Sequence, residues 1–114
     1  MNVSLEKYLL VRKFAVGTDL KLFFEGKYDM DERRVLELID VAGYTDSTTV
    51  DTDINHISVK DLGSQYVFDL AARLGRPEVE RFKEVFLYTD SEGLGFSFRA
   101  VAREAHFRYE GPGD

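Results

Sequence analysis

Hydrophobic residues alternate with other residues near the start of the chain. Leu20, Leu22 and Phe24 take every second position, with Lys21, Phe23 and Glu25 after them in turn, a period of two that is typical of a strand. Gly17 precedes this run and supplies the backbone freedom of a tight turn. We therefore predict a β-hairpin over residues 7–26, with a helix over residues 4–14 as the alternative.

Two later segments repeat at a helical spacing. Val35, Leu38, Ile39 and Ala42 fall at i, i+3, i+4 and i+7, which predicts a helix over residues 31–42 with one apolar face. The same spacing recurs at Val67, Leu70, Ala71 and Leu74. It predicts a second helix that begins at Ser58 or Ser64 and ends at Leu74, before Gly75 and Pro77. Pro77 can open a short third helix that runs through Lys83.

The C-terminal third alternates again and predicts a second hairpin. Residues 85–88 and 95–99 flank a turn at 90–93, and the chain continues extended to Tyr109. Alternation places two side chains in the core (Phe96, Phe98) and three outside (Arg99, Arg103, Arg108). The predicted fold class is α+β, in the order ββ-α-α-ββ, with two or three helices on one face of an antiparallel sheet. It forms a single domain over 1–110, and the Gly- and Pro-containing tail 111–114 is expected to be disordered.

Size and composition limit the class of protein. The chain has 114 residues, of which 44% are hydrophobic and 32% charged, and this is ordinary for one globular domain. It has no cysteine, which excludes disulfides, thiolate metal sites and cysteine nucleophiles. The N-terminus has neither the basic flank nor the apolar run of a secretory signal, so we expect a cytoplasmic protein.

Charge is concentrated in one stretch of the sequence. Residues 29–61 hold nine acids and three bases, whereas the rest of the chain holds twelve of each. A pI near 4.9 argues against direct binding to nucleic acid or to anionic membranes, because both require cationic groups. The stretch predicts a surface that binds a basic protein, although most acidic surfaces serve only solubility.

We therefore expect a non-enzymatic interaction module without a cofactor. One version is a small inhibitor or immunity-type protein, encoded by a mobile element, that imitates nucleic acid and blocks a nucleic-acid-handling target. A subunit or adaptor of a larger assembly would have the same sequence pattern, and the oligomeric state stays open. The expected partner-binding residues are Glu37, Asp40, Tyr44, Asp46, Val50, Asp51, Asp53 and Ile54.

Residues 51–56 also carry a weak metal-site pattern. Asp51, Asp53 and Asn55 have oxygen ligands at alternate positions, as in the first half of a calcium loop. His56 stands where the sharp turn needs glycine, and Leu62 stands where a bidentate glutamate completes the shell. The alternative function on these residues is a divalent-metal site, or a small acid–base enzyme in which His56 pairs with an aspartate. A solvated turn is the simpler interpretation.

The predicted order of elements also permits a winged-helix DNA binder. It has a helix over 31–42, a second helix that ends at Leu74 and a following hairpin. Four bases lie near the end of the second helix: Arg73, Arg76, Arg81 and Lys83. The exposed front of that helix lacks basic residues, and the net charge opposes phosphate contacts.

Overall fold

The computed structural model describes residues 2–110, apart from the side chain of Thr52, and shows a mostly-β single domain. Seven strands of three or more residues and one two-residue strand form an antiparallel sheet. One α-helix, α1 (Gln65–Leu74), and a 3-10 helix (Pro77–Arg81) complete the elements described. The strands are β1 (Asn2–Ser4), β2 (Tyr8–Val16), β3 (Asp19–Gly26), β4 (Arg33–Asp46), β5 (Thr52–Asp53), β6 (His56–Lys60), β7 (Lys83–Tyr88) and β8 (Phe96–Tyr109).

The two edge strands of the sheet, β1 and β5, are brought close together by the segments that follow them. The order is β1-β6-β7-β8-β4-β3-β2-β5, and β1 leads into β2 just as β5 leads into β6. The backbone N–H of Leu5 donates to the carbonyl of Asn55 at 2.8 Å and links the two junctions. The sheet therefore curls around one interior.

That interior holds the main core. Fully buried side chains from most strands meet there, among them Leu10, Leu22, Leu36, Leu87 and Phe98. A second, smaller cluster lies on the outside of the sheet, where Val67 and Leu70 of α1 pack with Val101 of β8. The helix therefore covers only part of the outer surface.

The predicted helix over residues 31–42 is wrong, because residues 33–42 form the first part of β4. Leu36 and Leu38 point into the core at alternate positions, as a period of two requires. Val35, Ile39 and Val41 are β-branched and favour a strand over a helix. The ββ-α-α-ββ arrangement is therefore replaced by a sheet that contains residues 33–46.

The remaining elements agree better with the sequence patterns. The first hairpin is confirmed as β2 and β3, with Gly17 at a positive φ of 59°, and the alternative helix over 4–14 is absent. The second hairpin is β7 and β8. Helix α1 starts after Ser64, not Ser58, and ends at Gly75 in the left-handed conformation. The tail 111–114 lies outside the described residues.

Phe96 was predicted to enter the core together with Phe98, but Phe96 is 45% exposed. Phe96 pairs with Tyr88 and Phe98 pairs with Leu87, so Ser97 is an additional residue in β8. Such a bulge reverses the alternation of side chains on either side of it. Arg103 and Arg108 are exposed as predicted, whereas Arg99 is only partly exposed.

Candidate functional site

The acids of residues 29–61 are largely neutralised in the fold by bases from other parts of the chain. Six of the nine have an ion-pair partner within 4 Å. The pairs are Glu32–Arg34 at 2.6 Å, Glu37–Lys21 at 3.4 Å, Asp40–Arg76 at 3.4 Å, Asp46–Lys13 at 2.9 Å, Asp53–Lys27 at 2.6 Å and Asp61–Lys83 at 2.6 Å.

Five of these six bases lie outside residues 29–61, so the antiparallel pairing mixes charges that the sequence keeps apart. Lys21 of β3, for example, is the direct cross-strand neighbour of Glu37 of β4. Within residues 2–110, only Asp29, Asp31 and Asp51 of the stretch have no ion pair. The acids that are concentrated in residues 29–61 of the sequence therefore do not form a continuous negative surface in the fold.

The eight predicted partner-binding residues are not all available on the surface. Ile54 is only 2% exposed and belongs to the core, so a partner cannot contact it directly. Tyr44 and Val50 are half exposed, and the Tyr44 ring stacks on Phe98 with centroids 6.2 Å apart. Asp51 is exposed and has a positive φ of 64°. The other four are Glu37, Asp40, Asp46 and Asp53, and all have ion pairs within the domain.

Two of the three candidate metal residues, Asp53 and Asn55, contact other side chains. Asp53 pairs with Lys27, and the Asn55 amide lies 3.5 Å from a Glu6 carboxylate oxygen and 2.9 Å from His56 Nδ1. His56 stacks on Tyr88 with ring centroids 4.7 Å apart. Among the described residues, no group of three or more His, Asp or Glu side chains is arranged to hold a metal. Residues 51–56 form a strand and a turn rather than an ion-binding loop.

The hydroxyls of Thr48 and Ser97 lie close together, but Lys13 is not hydrogen-bonded to either of them as a base that activates a nucleophile would be. The half-buried Lys13 ammonium donates to the Thr48 carbonyl and to Asp46 rather than to a hydroxyl. The Thr48 hydroxyl is 2.8 Å from the Ser97 hydroxyl and 3.0 Å from the Ser97 carbonyl. These bonds tie the segment after β4 to β8, which is a structural role.

The winged-helix interpretation loses its structural basis. Its first helix is part of β4, and the only α-helix in the described residues is α1. Arg76 and Lys83 are bound to Asp40 and Asp61, so two of the four proposed phosphate-binding residues have partners within the domain.

The most prominent part of the acidic stretch is the turn between β3 and β4, which we call the 28–31 loop. Tyr28 is 90% exposed and Met30 is 69% exposed. Each is followed by an exposed aspartate without an ion pair, Asp29 and Asp31. The loop is ordered by its own hydrogen bonds: Asp31 N–H donates to Asp29 Oδ1 at 3.0 Å, and Glu32 N–H donates to the Asp29 carbonyl at 3.0 Å.

A second surface was missed at the sequence level. Arg12, Phe23, Val35 and Arg108 are direct cross-strand neighbours on β2, β3, β4 and β8. We call this line of side chains the arginine row. A cleft of about 440 Å³ opens beside it, lined in part by Arg12, Phe23 and Arg33. The bulge at Val11 hid it, because an extra residue in β2 shifts the alternation and sends Arg12 and Phe14 outwards.

Comparison with protein-family models, curated proteins and solved structures finds no match to this chain. No helix among the described residues has both the length and the apolar character needed to cross a membrane.

Proposed function

We propose that the protein is a non-enzymatic interaction module that binds a basic protein surface through the 28–31 loop. The observation that supports this best is the alternation of two exposed large apolar side chains with two aspartates that have no ion pair. Large exposed side chains serve as anchors in protein interfaces, and tyrosine is enriched among them. Aspartates around such an anchor favour partners with basic surfaces and increase the rate of association.

The order within the loop supports the same proposal. Three hydrogen bonds from backbone N–H groups hold it: the two that Asp29 accepts, through its side chain and its carbonyl, and a third from Gly26 N–H to the Glu32 carbonyl at 2.8 Å. A loop that is already held in one conformation loses less conformational entropy on binding than a flexible one. Tyr28 and Met30 can therefore act as preformed anchors.

This proposal reduces the binding surface expected from the sequence, residues 29–61, to the 28–31 loop. Glu37, Asp40, Asp46 and Asp53 are largely neutralised by their ion pairs and would contribute little to attraction of a partner. Asp29 and Asp31 keep the negative charge that the inhibitor or immunity-type hypothesis requires. A nucleic-acid-handling target remains the concrete partner class, since two spaced carboxylates can imitate successive phosphates. An adaptor that docks on a basic subunit would use the same loop.

The experiment measures capture of basic proteins from source-cell lysate by the tagged protein and by its variants, with quantitative mass spectrometry. The test variants are Tyr28→Ala, Met30→Ala and the pair Asp29→Asn with Asp31→Asn. Leu62→Ala and Leu94→Ala are matched controls, because these side chains are 89% and 80% exposed on other loops. Glu80→Gln with Glu92→Gln is the matched control for the charge change.

We expect one basic partner to be captured at low salt, lost in all three test variants and retained in all controls. The tyrosine variant should weaken binding of the purified partner by more than tenfold, because central aromatic anchors cost about 2 kcal/mol or more when truncated. A partner that is captured equally by the test and control variants would disprove the assignment to this loop. Failure to enrich any basic protein would disprove the proposed function.

A further inference from the structure

The arginine row combines two free cations with an apolar centre. Arg12 and Arg108 are exposed and occupy the ends of the row. Between them lie Phe23, which is partly exposed, and Val35, which is buried beneath its neighbours. The Arg12 guanidinium lies 4.4 Å from the centre of the Phe23 ring, which holds it along the surface. Within residues 2–110 neither arginine has an ion pair, although most bases of this domain have one.

The described helices pack on one part of the outer face of the sheet but not on the part around the arginine row. Helix α1 and the 3-10 helix pack near Val101 and Gly43. The described residues place no helix over the arginine row, and Phe14 beside it is 51% exposed. Two carboxylates, Glu25 and Glu110, line the cleft beside the row and disfavour an anion inside it. An anion is therefore favoured along the row itself.

From this geometry we propose that the row is a docking site for an extended acidic peptide segment of a partner protein. The four strands span three inter-strand spacings, which separates the arginine Cα atoms by about 14 Å at about 4.8 Å each. An extended peptide advances about 3.4 Å per residue, so residues i and i+4 lie about 14 Å apart on the same side. Carboxylates at i and i+4 would meet Arg12 and Arg108, and an apolar residue at i+2 would lie over the partly exposed Phe23 ring.

The probe is a fluorescein-labelled heptapeptide with glutamates at its second and sixth positions and leucine at its fourth. Its control has the same composition, with glutamates at the second and fourth positions and leucine at the sixth. Binding is measured by fluorescence anisotropy at low salt with the full chain. Arg12→Gln and Arg108→Gln test the site. Arg73→Gln and Arg81→Gln are matched controls, because these arginines are exposed and outside the row.

We expect saturable binding of the first peptide and at least threefold weaker binding of the control peptide. Each test variant should weaken binding by about threefold to fivefold, as for a solvent-exposed ion pair, and both together by about tenfold or more. The control variants should bind as the wild type does. A thermal melt of each variant identifies any that is unfolded, and Arg108→Lys then replaces Arg108→Gln, since it keeps the charge but loses the guanidinium fork.

Three results would overturn the proposal. One is no binding of the first peptide, and another is equal binding of the two peptides. The third is tighter binding of a single-stranded oligothymidylate that depends on the same arginines, because this would assign the row to nucleic acid. The site is separate from Tyr28 and Met30, so these results leave the proposed function of the 28–31 loop unaffected.

Discussion

Glu84 and Arg99 form an ion pair that joins the sheet to α1. Glu84 is 1% exposed and accepts from Arg99 Nε at 2.8 Å, and Arg99 Nη2 lies 2.7 Å from the same carboxylate oxygen. It also accepts from the backbone N–H and the hydroxyl of Ser64, the residue that precedes the helix. A strand carboxylate thus binds the backbone N–H of the N-cap residue, as the glutamate three residues further on does in a capping box.

Removal of this carboxylate should destabilise the domain. Glu84→Ala leaves Arg99 without its ion-pair partner and the Ser64 N–H without an acceptor, at a cost of about 2 to 4 kcal/mol in the free energy of unfolding. Arg99 is partly exposed, so the cost stays below that of a fully buried pair. Urea unfolding measures it, with Glu80→Ala as the exposed control. A loss under 1 kcal/mol would contradict the role given to Glu84.

Asp40 should tolerate asparagine better than valine. Its φ is 55°, and its carboxylate lies 3.4 Å from Arg76 Nη2 and 3.7 Å from Arg103 Nε. Asparagine adopts the left-handed conformation readily, so Asp40→Asn should lose only about 1 kcal/mol from the weakened ion pairs. Asp40→Val adds backbone strain of about 1 to 3 kcal/mol. Equal urea midpoints for the two variants would show that backbone strain is unimportant here.

Tyr8 should make stability fall at alkaline pH. Partial burial, followed by the 2.8 Å hydrogen bond to Glu32, raises the pKa of Tyr8 above its ordinary 10.0. The unfolded chain therefore loses this proton first. The stabilisation is complete below about pH 10 and declines as the pH rises through the folded pKa.

Tyr8→Phe should cost about 1 kcal/mol near pH 8 for the lost hydrogen bond. This difference from the wild type should shrink above about pH 10, and urea unfolding across that range measures it. Tyr28→Phe is the control, because Tyr28 is almost fully exposed. A difference for Tyr8→Phe that stays constant with pH would contradict the raised pKa.

Asp61 should titrate at unusually low pH because of Lys83. The hydrogen bond from Lys83 Nζ at 2.6 Å, together with its charge, lowers the pKa of Asp61 below 3.8. The associated stabilisation is present above the unfolded pKa and is lost as the pH falls through the folded value. In Lys83→Met the pKa of Asp61 should rise towards 3.8, as followed by NMR of the carboxyl carbon. Lys60→Met should leave it unchanged.

The apolar pattern predicted the hairpins and α1 but not the nature of β4. Residues 35–42 and 67–74 share the spacing i, i+3, i+4 and i+7, yet the first is a strand and the second a helix. Composition separates them: Ala71 and Ala72 favour a helix, whereas Ile39 and Val41 favour a strand. Spacing alone is ambiguous where an apolar run satisfies both periods.

The candidate site was predictable only in part. The position of Asp29 and Asp31 in an acidic stretch was visible in the sequence, but the neutralisation of Glu37 by Lys21 depends on strand pairing. The arginine row required both the pairing and the position of a bulge in β2. The register between strands that are distant in the sequence decides which charged side chains are left without an ion pair. This register cannot be derived from a single sequence.

The pairing of β4 with β8 has a consequence for synthesis on the ribosome. It joins Asp46 to Phe98 and Arg34 to Tyr109, contacts that are 52 and 75 residues apart in the chain. At about 5 to 20 residues per second, the chain needs about 3 to 13 s to extend from Asp46 to Tyr109. During that time one edge of β4 stays open to other nascent chains. The emerging domain is therefore most in need of a chaperone before its last strand has been made.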